Sequence, residues 1–164
     1  MSLENRRILT IHVDGASRGN PGTSGIGIYC TNQEGRKIIN AGFMIQKLTN
    51  NQAEYLALVY ALFFLTQKLS PSQQKQYFLK IFADSQLLIK QMNGEYKIKD
   101  PTLKILANII KGLSFNFICS FTHVLREFNA TADELANHGI DSKKQLDAEF
   151  VSFLARNNFV LVQE

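Results

Sequence analysis

Four acidic residues carry the chemistry this chain can offer. Asp14 closes the apolar run ILTIHV, Glu54 stands near the start of AEYLALVYALFFLTQKL, Asp84 follows YFLKIFA, and Asp133 lies within NATADELANHG. Each sits where one element gives way to the next, and other acids around these junctions are few. A carboxylate that follows an apolar run loses hydration unless it meets a cation or hydrogen-bond donors. Four of them gathered at one sheet edge would repel one another, and a divalent cation relieves that repulsion. Oxygen ligands without histidine or cysteine favour the hard ions Mg²⁺ or Mn²⁺. Two such ions, about 4 Å apart, activate a water and stabilise the leaving oxygen of a phosphodiester. Taken singly, the same acids have plainer roles. Asp84 could cap a helix, and Glu54 and Asp133 could complement helix dipoles, an effect of about 0.3–1 kcal/mol each.

The elements that must position these acids are written in the hydrophobic pattern. Residues 8–15, 24–31 and 37–45 read as strands, separated by the turn signals NPGTSG and NQEG. Short turns between successive strands imply an antiparallel meander. Residues 53–69 are too long for a strand and apolar almost all round, the pattern of a buried helix, with Thr49 and Gln52 at capping-box spacing before it. A fourth strand is expected over 77–83, a short helix over 84–92, and another helix opened by Asp100–Pro101. A fifth strand follows over 115–125. Next comes a helix over 129–139, with Asn129 as its N-cap and Gly139 as its stop. A last helix is expected over 142–156, with Leu146, Phe150, Phe153 and Leu154 on one face. This order implies an α/β fold: a five-stranded mixed sheet, three antiparallel strands then two parallel, flanked by helices on both faces.

The bulk properties bound the function. The 164 residues suit one domain, 1–164, with a real core, and 45% hydrophobic residues against 20% charged exclude a disordered chain. A net charge of +4 leans toward a polyanionic partner. Cys30 and Cys119 fall in apolar runs and read as buried free thiols, which makes a reducing cytoplasm the default location. No apolar stretch approaches the roughly 18 residues of a membrane span. The opening MSLENRR lacks a hydrophobic signal segment. No membrane role and no obligate protein partner are expected.

The segments VDGASRGNPG, LTNNQAEYLAL, FADSQ and HVLREFNATADELAN, in this order and with these elements between them, resemble ribonuclease H of type 1, in a compact form without a basic protrusion. The resemblance covers about residues 8–139. It implies a ribonuclease H-like fold and endonucleolytic cleavage of the RNA strand of RNA–DNA hybrids by a two-metal mechanism. The products would carry 5′-phosphate and 3′-hydroxyl ends. It implies two Mg²⁺ ions, with Mn²⁺ as a substitute, held by Asp14, Glu54, Asp84 and Asp133. Asp14 and Asp84 would be the central ligands. Glu54 would hold one metal and sense the RNA strand, and Asp133 would bind the other metal. Gly15, Arg18, Asn20, Asn50, Asn51 and Gln86 match positions that contact the hybrid. Amides and backbone groups there can read a ribose 2′-hydroxyl without reading sequence. The glycines at 15, 19 and 22 would let backbone approach that ligand closely.

The pattern departs from the family at two points, around His123 and where the protrusion would stand. His123 continues the fifth strand in phase with Phe117, Cys119 and Phe121, so a structural or edge role is expected rather than that of a mobile proton shuttle. Arg126, in the turn LREFN, is the expected catalytic helper. His12 is in phase with Asp14 and reads as a strand-face residue. Where other members carry the protrusion, this chain has only NGEYKIKDP, whose Lys97 and Lys99 could meet the DNA strand's phosphates or simply face solvent. The alternative function is a silent or broader-specificity nucleic-acid-binding relative of the same fold.

Overall fold

The computed structural model describes residues 2–162. Five strands, β1 (Arg7–Gly19), β2 (Gly22–Asn32), β3 (Lys37–Leu48), β4 (Tyr77–Ala83) and β5 (Ile118–His123), form one sheet in the order β3-β2-β1-β4-β5. The β1–β2 and β2–β3 pairs are antiparallel, and the β1–β4 and β4–β5 pairs are parallel. This is the mixed sheet that the pattern implies. Among the described residues there are six α-helices: α1 (Asn50–Lys68), α2 (Pro71–Gln74), α3 (Gln86–Met92), α4 (Pro101–Ser114), α5 (Ala130–Ser142) and α6 (Ala148–Arg156).

Strand alternation divides the two faces. Ile26 and Ile28 on β2, with Leu9, Ile11 and Val13 on β1, point into the main core against α1. Glycines 25, 27 and 42 point the other way and seat α5. A Cβ on Gly27 would come within 2.0 Å of the Ala132 carbonyl, and one on Gly42 within 1.9 Å of the Leu135 carbonyl. α1 is buried from Ala53 to Phe63, which explains an apolar pattern without a polar face. Its start is held by the capping box, with the Thr49 side chain accepting from the Gln52 N–H and the Gln52 side chain accepting from the Thr49 N–H. α6 docks against α1 through Phe150, whose ring centroid lies 4.9 Å from that of Tyr60 and 5.2 Å from that of Phe63.

Several boundaries differ from the sequence reading. β1 does not stop at Asp14 but runs on to Gly19, paired with β2 out to Gly19↔Gly22. The glycine-rich segment is a strand arm, and the turn is confined to Asn20–Pro21. The third strand likewise runs on to Leu48. Ser85, not Asp84, caps α3, its side chain accepting from the Leu88 N–H, which removes the plain reading of Asp84 as a cap. β5 is shorter than 115–125. Gly139 is not a stop: α5 continues to Ser142 and ends at Lys143 in the left-handed region. The missing Cβ at Gly139 instead lets the helix approach Phe43, whose nitrogen would lie 2.4 Å from it. The last helix begins at Ala148 rather than 142. Its expected apolar face is present, with Phe150 and Leu154 buried and Leu146 and Phe153 packed at the margin. Cys30 is buried, Cys119 only half-buried, and both are free thiols that burial pushes up to about 12. Among the described residues, no helix is long and apolar enough to cross a membrane.

Candidate active site

The parallel strands β1 and β4 lie side by side, so Asp14 on β1 and Asp84 just past the end of β4 emerge near each other. The N-terminus of α1 crosses β1 at Gly15 and brings in Glu54. A side chain at residue 15 would collide with this helix, because its Cβ would stand 2.3 Å from the Glu54 nitrogen and 2.4 Å from the Ala53 carbonyl carbon. Here the glycine serves a contact inside the protein. Carboxylate oxygens of Asp14, Glu54 and Asp84 consequently lie within 4.8 Å of one another. Asp133, from the first turns of α5, lines the same cavity of about 360 Å³. Its carboxylate receives Arg126 Nη2 at 3.4 Å and Asn137 Nδ2 at 3.4 Å, while that amide also donates to the Asp133 carbonyl at 3.0 Å.

The cluster is electrostatically uncomfortable without a cation. Asp14 is 4% exposed and Glu54 9%. Burial comes first, followed by the neighbouring Asp84 and Asp133, and together they push Asp14 up to about 8 against a lowering hydrogen bond with Glu54. Burial and the Asp14 charge hold Glu54 well above its usual range, with the Gly15 N–H acting in the opposite direction. Glu54 Oε2 is buried with no hydrogen-bond partner. Three oxygens within 4.8 Å, one of them an orphaned buried acceptor, suit a hard divalent cation.

A pH dependence follows. Raised acid pKa values mean that the folded protein binds more protons than the unfolded chain between about pH 4 and about pH 8. Metal-free stability is therefore expected to fall as pH rises through that window. Added Mg²⁺ or Mn²⁺ should raise the Tm by several degrees near pH 8 and by much less near pH 5, because it replaces the protons. Thermal unfolding followed by circular dichroism, with EDTA or with metal, checks this. A metal effect that is equal at both pH values would contradict it.

The other expected residues are divided between two cavities. Gly15, Arg18 and Asn50 line the acidic one with Arg126. Arg18 is also paired with Asp141 of α5, at 2.7 Å across an exposed surface. Asn20 and Asn51 line a neighbouring cavity of about 720 Å³ that is also bordered by Gln91, Tyr96, Lys97 and Lys99. Asn20 Oδ1 accepts from the Asn50 N–H at 3.1 Å and so ties the β1–β2 turn to the start of α1. Gln86 stands exposed at the start of α3. His123, exposed at the end of β5, has its Nε2 3.2 Å from the backbone carbonyl of Asp84. His12 is half-buried on the strand face and stacks on Phe82.

Two contributors escaped the sequence reading. Asn137 lies four residues after Asp133, so its place on the same helix face was readable from spacing. Asn129 precedes α5 as expected, but its side chain makes no capping bond. It is buried and donates to the Val13 carbonyl at 2.9 Å, clamping α5 to β1 next to Asp14. No local pattern announces that bond across the sequence.

Comparisons with known proteins agree with the geometry. A family model described as reverse transcriptase-like matches residues 12–139. A ribonuclease HI of Halobacterium salinarum is 37% identical over 131 residues, which are 79% of this chain and 63% of the relative. This chain thus spans less than two thirds of that relative's length. Among solved structures, RNase H1 from the same archaeon superposes with a TM-score of 0.74 at 35% identity, covering 82% of this chain and 98% of that one. LC11-RNase H1, solved in complex with an RNA/DNA hybrid, gives a TM-score of 0.74 at 38% identity, covering 82% and 97%.

Proposed function

This chain belongs to the type 1 ribonuclease H family, and from that premise we propose that it is a metal-dependent endonuclease hydrolysing the RNA strand of RNA–DNA hybrids. The observation that carries the proposal is the convergence of Asp14, Glu54 and Asp84, drawn from three different elements, within 4.8 Å at the mouth of a cavity. The hybrid in the LC11 structure supports the choice of substrate.

In this reading Asp14, Glu54, Asp84 and Asp133 would hold two Mg²⁺ ions, with Mn²⁺ as a substitute, Asp14 and Asp84 being the central ligands. When bound, the ions supply Lewis acidity that activates a water and stabilises the leaving oxygen. The products carry 5′-phosphate and 3′-hydroxyl ends. Asp14 must release the proton that burial and its neighbours retain before it can hold an ion. Arg126 steadies Asp133 and can hold a phosphate oxygen through its forked guanidinium.

Recognition falls to the segments on either side of the acids. Gly15, Arg18, Asn50, Asn51 and Gln86 line the path of the RNA strand. The Asn20 carbonyl is engaged by the Asn50 N–H, which leaves its amide NH₂ to meet a ribose hydroxyl. Lys97 and Lys99 lie beside Asn51 and suit the phosphates of the DNA strand. Two free cysteines fit a reducing cytoplasm.

The test is a hybrid whose RNA carries 2′-O-methyl groups. It should resist cleavage while the unmodified hybrid is cut, because the hydroxyl donor is gone and the groove contact is crowded. Equal cleavage of the two would show that these segments do not read the ribose.

A further inference from the structure

α5 covers only part of its sheet face, at Gly25, Gly27 and Gly42. Beyond it, β1, β2 and β4 present His12, Tyr29 and Phe82 side by side, as the registers His12↔Tyr29 and His12↔Phe82 require. Phe78 and Lys80 continue the same face of β4, with the Lys80 ammonium 5.8 Å from the Phe78 ring centroid. Where this open half meets the 3₁₀ turn Arg126–Asn129, there is a crevice of about 210 Å³. Its lining includes His12, Tyr29, Glu127, Phe128, Asn129 and Thr131.

The crevice combines three features that the hydrolytic reading leaves unused. Its walls are flat and aromatic: His12 is pinned by Phe82 at 5.0 Å and 18°, and Phe128 is 67% exposed at the rim. Beside the Tyr29 and Thr131 hydroxyls, which can donate or accept, one acceptor is left without a donor: Asn129 is 1% exposed, its Nδ2 is spent on the Val13 carbonyl, and its Oδ1 is buried with no partner. A buried acceptor without a donor is a standing deficit that a ligand N–H can fill. Glu127 adds a carboxylate at the same crevice. Finally, Lys80 supplies positive charge on the same open face.

We propose that this crevice binds an unpaired nucleobase carrying an exocyclic amine, on a single strand of nucleic acid. The base stacks between Tyr29 and Phe128, its amine donates to Asn129 Oδ1 and Glu127, and a flanking phosphate meets Lys80. His12 and Asp14 lie two residues apart on one face of β1, a spacing of about 6.6 Å. The turn that grips Val13 divides the crevice from the acidic cavity. A single-stranded extension of a hybrid bound at the acids can therefore cross the turn into the crevice.

The test is fluorescence anisotropy with labelled oligo(A), oligo(C) and oligo(U) RNA, in EDTA, so that binding is read apart from any cleavage and from the ribonuclease reading. Oligo(A) and oligo(C) should bind about tenfold tighter than oligo(U), the worth of one or two satisfied hydrogen bonds. Phe128→Ser and Tyr29→Ser should each weaken oligo(A) binding by about tenfold to a hundredfold, the loss of one stacked base. Lys80→Glu should weaken all three oligonucleotides alike. Circular dichroism establishes that the variants are folded. Phe128 is exposed, so its variant carries the test should Tyr29→Ser fail to fold. Equal affinity for the three oligonucleotides would overturn the proposal, and so would a folded Phe128→Ser protein that binds oligo(A) as the parent does.

Discussion

Asp84→Asn is expected to reduce cleavage by at least on the order of 10²–10³-fold, the scale of removing one group that stabilises developing charge, while hybrid binding persists. Asp84 is half-exposed, so the substitution leaves the core untouched. Its charge is one of those that push Asp14 and Glu54 up. Removing it lowers the repulsion inside the cluster and toward phosphate, and at the same time takes away a ligand from the metal site. Binding measured by electrophoretic mobility shift and cleavage measured on a labelled hybrid should thus separate. Retained cleavage with lost binding would show that Asp84 belongs to recognition and not to the chemistry.

The second large effect is expected at Gly15→Ala, which should lower both stability and activity. The new methyl would meet the Glu54 nitrogen at 2.3 Å and the Ala53 carbonyl carbon at 2.4 Å, both of them backbone atoms of the helix start. A flexible side chain could swing aside, but a capped helix N-terminus cannot. Overpacking of this kind costs about 1–3 kcal/mol, and at roughly 2–4 °C per kcal/mol for a chain of this size the Tm should drop by about 2–12 °C. Because α1 carries Glu54, any movement that relieves the clash also pulls that carboxylate from the cluster. Gly112→Ala is the control, since nothing lies within 4 Å of its added Cβ and the residue sits in α4. There alanine should stabilise by up to about 1 kcal/mol through helix propensity. A Gly15→Ala protein as stable and as active as the parent would mean that α1 is not seated on β1 in this way.

Much of this architecture was readable because its signals are local. The long, all-round apolar run of α1, the Thr49–Gln52 box, the Asp100–Pro101 start of α4 and the alternation of β4 all specify their elements without help from distant residues. The acids were readable for the same reason: each follows or opens a strongly patterned segment. The misreadings involve partners far away in the chain. The segment after Asp14 looks like a turn until it is paired with β2, residue by residue, out to Gly22. Gly139 looks like a helix stop, since nothing near it in sequence reveals that Phe43 will press against it. Asn129 looks like a cap, yet the Val13 carbonyl takes its amide across 116 positions. The aromatic crevice is of the same kind, because His12, Tyr29 and Phe128 become neighbours only once β1, β2 and the turn before α5 are assembled.

The use of divalent metal by the clustered acids to cut RNA within a hybrid is the mechanism proposed for this chain. Its most direct test compares end-labelled RNA–DNA, RNA–RNA and DNA–DNA duplexes of one sequence, each incubated with Mg²⁺, Mn²⁺ or EDTA. Cleavage within the RNA strand of the hybrid is expected when either metal is present, with none in EDTA and an intact DNA duplex throughout. Cleavage that persists in EDTA, or DNA–DNA duplex cut as readily as the hybrid, would contradict it.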